Sequence, residues 1–337
     1  MDFSTLQFSD FVRLAPIIFE KGKQLLPLEA RNSGLFRVTP IPLNTGNTRE
    51  FSDSVDTGQY ARRKAEGEQA VHARIKQGHK KIMYYGRVGL DLTITHEAMT
   101  LNKYPEIVRE LTNLGIHVAN RIELDLQHRL GFGASTTMTN MDGETVDLTL
   151  GDGFQLFYSA HTLTGSSVTY RNRLAGDPQF SRGALEGMER LQNEETLTNF
   201  GEKAVGATFD ILWYADDPTQ ENAILEHLRS TASVEPGANQ GVINPYRGKY
   251  RPVKLSRIAT DKDGLVDSTK RKFWGTASSM LCQAHLGIWE EGYLLTPPND
   301  SNNGTDRSTE DMTFGTRGAY GIAITSAAYI KGSLPIA

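Results

Sequence analysis

The stretch PEIVRELTNLGIHVANRIELDLQHRL, from Pro105 to Leu130, decides the fold. Its apolar residues Ile107, Leu111, Leu114, Val118, Ile122, Leu126 and Leu130 recur at spacings of three and four, which puts them on one face of a helix. Pro105 suits the first helical position, where its missing N–H would have no intrahelical partner, and Gly131 follows as a stop. At 1.5 Å per residue the helix is about 39 Å long, roughly twice the common globular length. A helix of that length acts as a spine for whatever packs on it.

On its N-terminal side, Val88, Leu90, Leu92 and Ile94 alternate with Arg87, Gly89, Asp91 and Thr93, so a strand with one buried face leads into the helix. Before it, residues 60–81 are basic, with Arg62, Arg63, Lys64, Arg74, Lys76, Lys80 and Lys81 against Glu66 and Glu68. Such a run is either a solvated loop or an excursion lying across an acidic surface of a neighbouring subunit. Residues 37–60 are rich in turn formers, including Pro40, Pro42, Gly46 and Gly58, and read as an arm. Residues 1–36 carry only short apolar clusters around Phe8, Phe11 and Ile17–Phe19, enough for a docking helix. With so little core of its own, this part is expected to order on neighbours, and its removal to leave a folded subunit.

Beyond the spine, Thr145–Leu150 and Phe154–Ser159 read as a strand pair turning at Gly151–Gly153. A helix is expected over Arg182–Gln192, a strand over Thr208–Tyr214, and a further helix over Thr219–Ser230 after the turn Asp216-Asp217-Pro218. Further strands are expected at Tyr250–Ala259, Leu265–Gly275, Leu286–Leu295 and Gly321–Ile330, with a polar loop over Thr296–Gly318. The fold class is α+β.

The 337 residues, 38% hydrophobic and 23% charged, describe a folded chain with a sizeable core. A net charge of −4 gives no footprint for wrapping a polyanion. Cys282 is the only cysteine, so no intrachain disulfide and no CxxC pair exists. No basic-then-apolar leader opens the sequence and no window approaches a membrane span, so a cytoplasmic site of synthesis and no membrane partner are expected.

Catalytic patterns fail one by one. His96-Glu97 begins a zinc-protease signature, but Thr100 stands where the second histidine is needed. Gly201–Gly206 has phosphate-loop spacing with Ala207 in place of the lysine. No G-x-S-x-G elbow supports Ser159 beside His161, whose expected role is a local hydrogen bond. His117, Arg121, Asp125 and His128 share one helical face, where Arg121 opposes a cation and a polar stripe facing solvent or an interface is expected. Asn303-Gly304-Thr305 is a glycosylation sequon without a secretion signal. No catalytic residue, cofactor or metal is expected.

The order of arm, basic loop, strand, spine helix, strand pair and α/β region resembles the major capsid proteins of tailed bacteriophages with the Hong Kong 97 fold, over nearly the whole chain. The chain looks closest to the Mu-like head subunits, through stretches that occur in the family's order. These are Tyr85-Gly86 leading to Leu92-Thr93-Ile94-Thr95-His96-Glu97-Ala98, and Tyr104–Leu130 with its closing Leu-Gly pair. Leu156–His161 follows, departing from the family where Thr162 and Leu163 replace a Pro and an Asn, and then Asp210–Pro218 with Ala223, Ile224, Leu225 and Ser230.

The resemblance implies an N-terminal arm (1–37), an extended basic loop (38–89), a peripheral domain with the spine (90–181), an axial α/β domain (182–317) and a C-terminal strand returning to the body (318–337). It also implies a head protein that self-assembles as hexamers and pentamers into an icosahedral shell around phage double-stranded DNA. Portal and scaffolding proteins are implied partners, the packaged DNA is contacted nonspecifically on the inner face, and the shell is assembled in the host cytoplasm and found in the virion. The assembly residues it suggests are Arg62, Arg63, Lys64, Lys76, Lys80 and Lys81. Some relatives crosslink a loop lysine to an asparagine; no partner asparagine or acidic catalyst is identifiable here. The rival readings are a cellular nanocompartment shell of the same fold, marked by a co-purifying enzyme cargo, and a cytoplasmic hydrolase using His161 or the His117/Asp125/His128 stripe.

Overall fold

The computed structural model describes residues 8–42, 46–55, 61, 63–69, 76–95, 97–98, 101, 103–232, 243–295 and 312–336, and two helices lie in its first 35 described residues. They are α1 (Phe8–Leu25) and the short α2 (Glu29–Asn32), and the spine is α3 (Tyr104–Gly131) with Pro105 in its first turn. The seven apolar residues of the 105–130 pattern are all buried. Gly131 is the last residue of the helix, and a side chain there would press on the Ile258 carbonyl.

The N-terminal segment differs from the arm expected of it. Ala15 and Phe19 on α1 are fully buried with Leu111, Leu114 and Phe314. The two helices touch backbone to backbone: a Cβ on Gly22 would strike the Thr112 carbonyl, and one on Gly115 the Phe19 carbonyl. Downstream, Ala30, Leu35 and Phe36 join the main core. The sparse apolar residues of this segment therefore complete the chain's own core, and deleting 1–36 would strip that core instead of leaving it intact.

In chain order, β1 (Arg37–Pro40) is followed by β2 (Thr48–Val55) and β3 (Lys76–Tyr84), which pair as an antiparallel ribbon, then by β4 (Gly86–Val88) and β5 (Asp91–Ile94). After α3 come β6 (Thr137–Thr139), β7 (Thr145–Asp147), β8 (His161–Thr162) and β9 (Thr169–Tyr170). Here too expectation and structure differ. β7 pairs with β6, not with 154–159, because Asn140 accepts from the N–H groups of Asp142 and Glu144 and so shapes the turn one element earlier.

Helix α4 (Arg182–Glu194) starts at Ser181, whose hydroxyl accepts from the Ala184 N–H. Strand β10 (Ile211–Tyr214) leads to α5 (Pro218–Arg229), capped by Asp217 accepting from the Thr219 N–H. β11 (Arg251–Lys254), β12 (Trp274–Ala277), β13 (Ala284–Leu295), β14 (Met312–Ile324) and β15 (Ile330–Ser333) complete the chain. The strand expected over 265–275 is confined to β12, because the Asp261–Gly264 turn is followed by a 3-10 turn at Ser268–Lys270. Of the expected loop 296–318, residues 312–318 are strand and the rest lies outside the described residues.

Two larger sheets result. β1, β13 and β14 form one, with β4 and β5 both pairing to β14; β11, β10, β12 and β15 form the other. This divides the chain differently from the expected segments. β13 and the first part of β14 (312–317) fall within 182–317, yet they belong to the sheet beside the spine, while β15 joins the sheet of β10 and β12. Pairing between strands so far apart in sequence leaves no local signature.

Cys282 sits in the core between these parts, its thiol donating to the Leu35 carbonyl at 3.0 Å and pushed up to about 12 by burial. A thiol held protonated and buried is inert. Native protein at pH 8 is expected to stay unlabelled by a thiol reagent over hours and to react fully in denaturant; rapid native labelling would contradict this packing.

Candidate assembly surface and polar clusters

The β2–β3 ribbon carries three of the six basic candidates, Lys76, Lys80 and Lys81, and its period of two sorts them. Of the six, Arg62 and the side chain of Lys76 lie outside the described residues, while Arg63 and Lys64 are exposed. Lys80 stands on the outer face, paired with Glu50 across the ribbon at 2.7 Å with both side chains half exposed. Lys81, one residue on, points to the body, donating to Asp147 Oδ2 at 2.5 Å and Thr149 Oγ1 at 3.1 Å. Burial pushes the Asp147 carboxyl up, but Lys81 and Thr149 outweigh it and hold it below its ordinary value. Lys81 thus anchors the ribbon, whereas Lys80 remains on its surface and Arg63 and Lys64 are exposed in the segment between its strands.

The same alternation exposes two residues that the charge pattern hid. Ile82 is 44% and Tyr84 68% exposed, in line with Lys80, while Met83 between them is buried with Ile41 and Trp289. Phe51 on the inner face stacks on His285 with ring centroids 4.1 Å apart. An outer face presenting Lys80, Ile82 and Tyr84 was legible as the i, i+2, i+4 series of β3, once basic residues were no longer read as a block.

Arg121, Asp125 and His128 of the polar stripe are occupied internally, contrary to the solvent- or interface-facing role expected of them, while His117 is exposed as expected. Arg121 pairs with Asp125 at 3.3 Å and Asp142 at 2.6 Å, and Asp125 accepts from the Tyr320 hydroxyl. His128 is buried with Nε2 2.9 Å from Thr260 Oγ1; burial, with Lys270 and Arg121 nearby, pulls it down to about 4, so it is neutral near pH 7. His117 instead lines a cleft of about 570 Å³ beside β4. The two histidines do not converge on one place.

His161 is fully buried. Its Nδ1 lies 2.7 Å from Asp152 Oδ2, and Nε2 lies 3.2 Å from both the Leu156 carbonyl and Asn172 Oδ1. Both ring nitrogens are spent on the fold, which is the local role expected of this residue. Burial pushes Asp152 up, but His161 outweighs it and the carboxyl stays depressed. A depressed aspartate adds stability above its unfolded value, about 3.9, and loses it as pH falls through the lower folded value. Asp152→Asn is therefore expected to cost roughly 1–3 kcal/mol at pH 7 in urea unfolding, a gap that closes as the pH falls below the aspartate range. An equal gap at every pH would contradict this.

Gly201 and Gly206 both have positive φ and form turns, and strand β10 follows them where a phosphate loop would open a helix. His96, Thr100 and Asn303–Thr305 lie outside the described residues. Among the described residues no helix is long and apolar enough to cross a membrane.

No protein-family model matches the sequence, and no curated protein matches it. Solved structures do match the fold. The capsid structure of cyanophage P-SCSP1u is similar over 88% of this chain and 85% of that one, at 13% identity and a TM-score of 0.51. The mature capsid of bacteriophage PhiM1 is similar over 89% of this chain and 85% of that one, at 11% identity and a TM-score of 0.50. The chain has a mixed α+β, Hong Kong 97-like fold.

Proposed function

We propose that this chain, having the fold of those phage shells, is the major head subunit of a tailed bacteriophage, building an icosahedral shell of hexamers and pentamers. The observation that supports the reading is the fold as a whole, a long spine helix beside a five-stranded sheet on which a two-stranded ribbon lies, similar to the two capsid structures over most of the chain. A ribbon of two strands is marginal by itself and gains stability by lying on something else. Its outer face offers Lys80, Ile82 and Tyr84, a mixture of charge and aromatic surface suited to an interface. Head-to-tail contacts of this kind close into rings when the rotation between neighbours is right, and obligate ones bury roughly 2,000–5,000 Å².

In this reading the chain is not an enzyme: its buried histidines serve the fold. The net charge of −4 suits a container filled by a separate motor, with nonspecific contact to packaged DNA on the inner face. Portal and scaffolding proteins are its further partners, and the virion, assembled in the host cytoplasm, its location. Within the fold we place it nearest the Mu-like head subunits, supported by the colinear stretches at Tyr85-Gly86, Leu92–Ala98 and Leu156–His161. Sheet membership supports an axial part of about 182–277 plus β15, with β13 and β14 assigned to the peripheral part.

The loop is tested by reversing Arg62, Arg63 and Lys64 to Glu. Shell yield measured by sedimentation is expected to fall at least tenfold at low salt, with the subunit still folded by circular dichroism. An unchanged yield at every salt concentration would remove these residues from the interface.

A further inference from the structure

Lys331 lies on β15 and is completely buried. Its Nζ reaches two acceptors, the carbonyls of Arg171 at 3.3 Å and Glu195 at 3.0 Å, and sits 5.5 Å from the Tyr170 ring centroid. The nearest carboxylate, on Glu195 at the end of α4, is engaged by Arg171, through its backbone N–H at 3.1 Å and its Nε at 3.2 Å. Across β12 the register partner is Thr276, which carries no charge. Behind Tyr170 stacks His161 with Asp152. The amine is thus held by neutral carbonyls, with a carboxylate and a guanidinium that largely cancel, and a buried charge so placed is costly.

The strand that carries it joins the two parts of the molecule. One edge of β15 pairs with β12 of the axial sheet; the other is gripped by residues 171–178. Leu174 N–H donates to the Gly332 carbonyl, Gly332 N–H to Asn172, Ser333 Oγ to Pro178, and Leu334 N–H to Asp177, itself at a positive φ of 43°.

We propose that β15 is a proton-linked clasp: the strand is closed with Lys331 as the free amine, and uptake of one proton at that nitrogen favours its release from residues 171–178. Burial first, opposed by Glu195 and aided by Arg171, takes the closed-state amine down to about 7. A solvent-exposed lysine lies near 10.4. Between those values the open form binds one more proton than the closed form, so opening grows more favourable as pH falls from 10 to 7 and levels off below. This inference is independent of the shell reading.

The test uses the full-length chain carrying Ser333→Cys, a buried position on the clasp strand whose hydroxyl bond to Pro178 is lost equally in the single and double variants. Its labelling by a maleimide is measured from pH 9 to 7, each rate divided by that of free cysteine at the same pH, with buried Cys282 reporting global unfolding. The ratio is expected to rise about fiftyfold over those two units, a little less than one proton per opening because the closed-state amine begins to titrate near pH 7, and to stay within about twofold when Lys331→Met is added. A flat ratio in the single variant, or the same rise in the double variant, would overturn the proposal. If Ser333→Cys does not fold, urea unfolding decides: the midpoint should climb from pH 7 to 9.5 with Lys331 and not with Lys331→Met, and parallel curves would overturn the clasp.

Discussion

Replacing Gly115 by Val is expected to undock α1 from the spine and abolish shell formation. The two helices cross with no side chain between their backbones, and a Cβ at 115 would occupy the place of the Phe19 carbonyl oxygen. Backbone on two packed helices cannot yield as a flexible side chain would, so α1 has to lift, exposing Ala15 and Phe19. Overpacking typically costs 1–3 kcal/mol, and separation of the helices adds the lost burial, for a total of about 3 kcal/mol or more. Urea unfolding should show that loss, and microscopy no particles. Full stability in the Gly115→Val variant would mean that the crossing is looser than described.

The second large effect is expected at Glu123. This spine carboxylate is fully buried, accepting from the backbone N–H groups of Ala30 at 2.9 Å and Arg31 at 3.0 Å. Those donors belong to the first turn of α2, which has no cap of its own, so the spine supplies the acceptor that the local sequence lacks. Around it, Gln127 accepts from the Arg257 N–H, and Glu29 accepts from the Ser256 N–H and hydroxyl. Glu123→Ala leaves the buried Ala30 and half-buried Arg31 donors unpaired and is expected to cost roughly 3 kcal/mol in urea unfolding. Glu123→Gln should restore only part, because one of its two terminal groups is a donor facing a donor. Wild-type stability in either variant would show that α2 finds its acceptors elsewhere.

These two sites mark where the sequence could and could not be read. The spine is legible because its apolar face repeats every three or four residues for seven turns, with Pro105 and Gly131 at its ends. Strand β10 and helix α5 are legible for the same local reasons, an apolar run and an Asp217 cap followed by Pro218. Glu123 and Gly115 look ordinary within that helix, since what fixes them is a partner about ninety residues away. The arm was misread because Ala15, Phe19 and Leu35 are few, and the sequence does not say that the spine and β13 lie ready to cover them. The basic loop was read as a block of charge, whereas strand alternation turns Lys81 inward and brings Ile82 and Tyr84 out. Partners remote in sequence, and the face a strand presents, come from the tertiary fold.

The central claim, that identical copies close into a lattice, is tested most directly by electron microscopy of the purified full-length chain. Closed shells of uniform diameter are predicted, lost when the Gly115→Val change is made. A chain that remains a monodisperse monomer or small oligomer at every protein and salt concentration would contradict it.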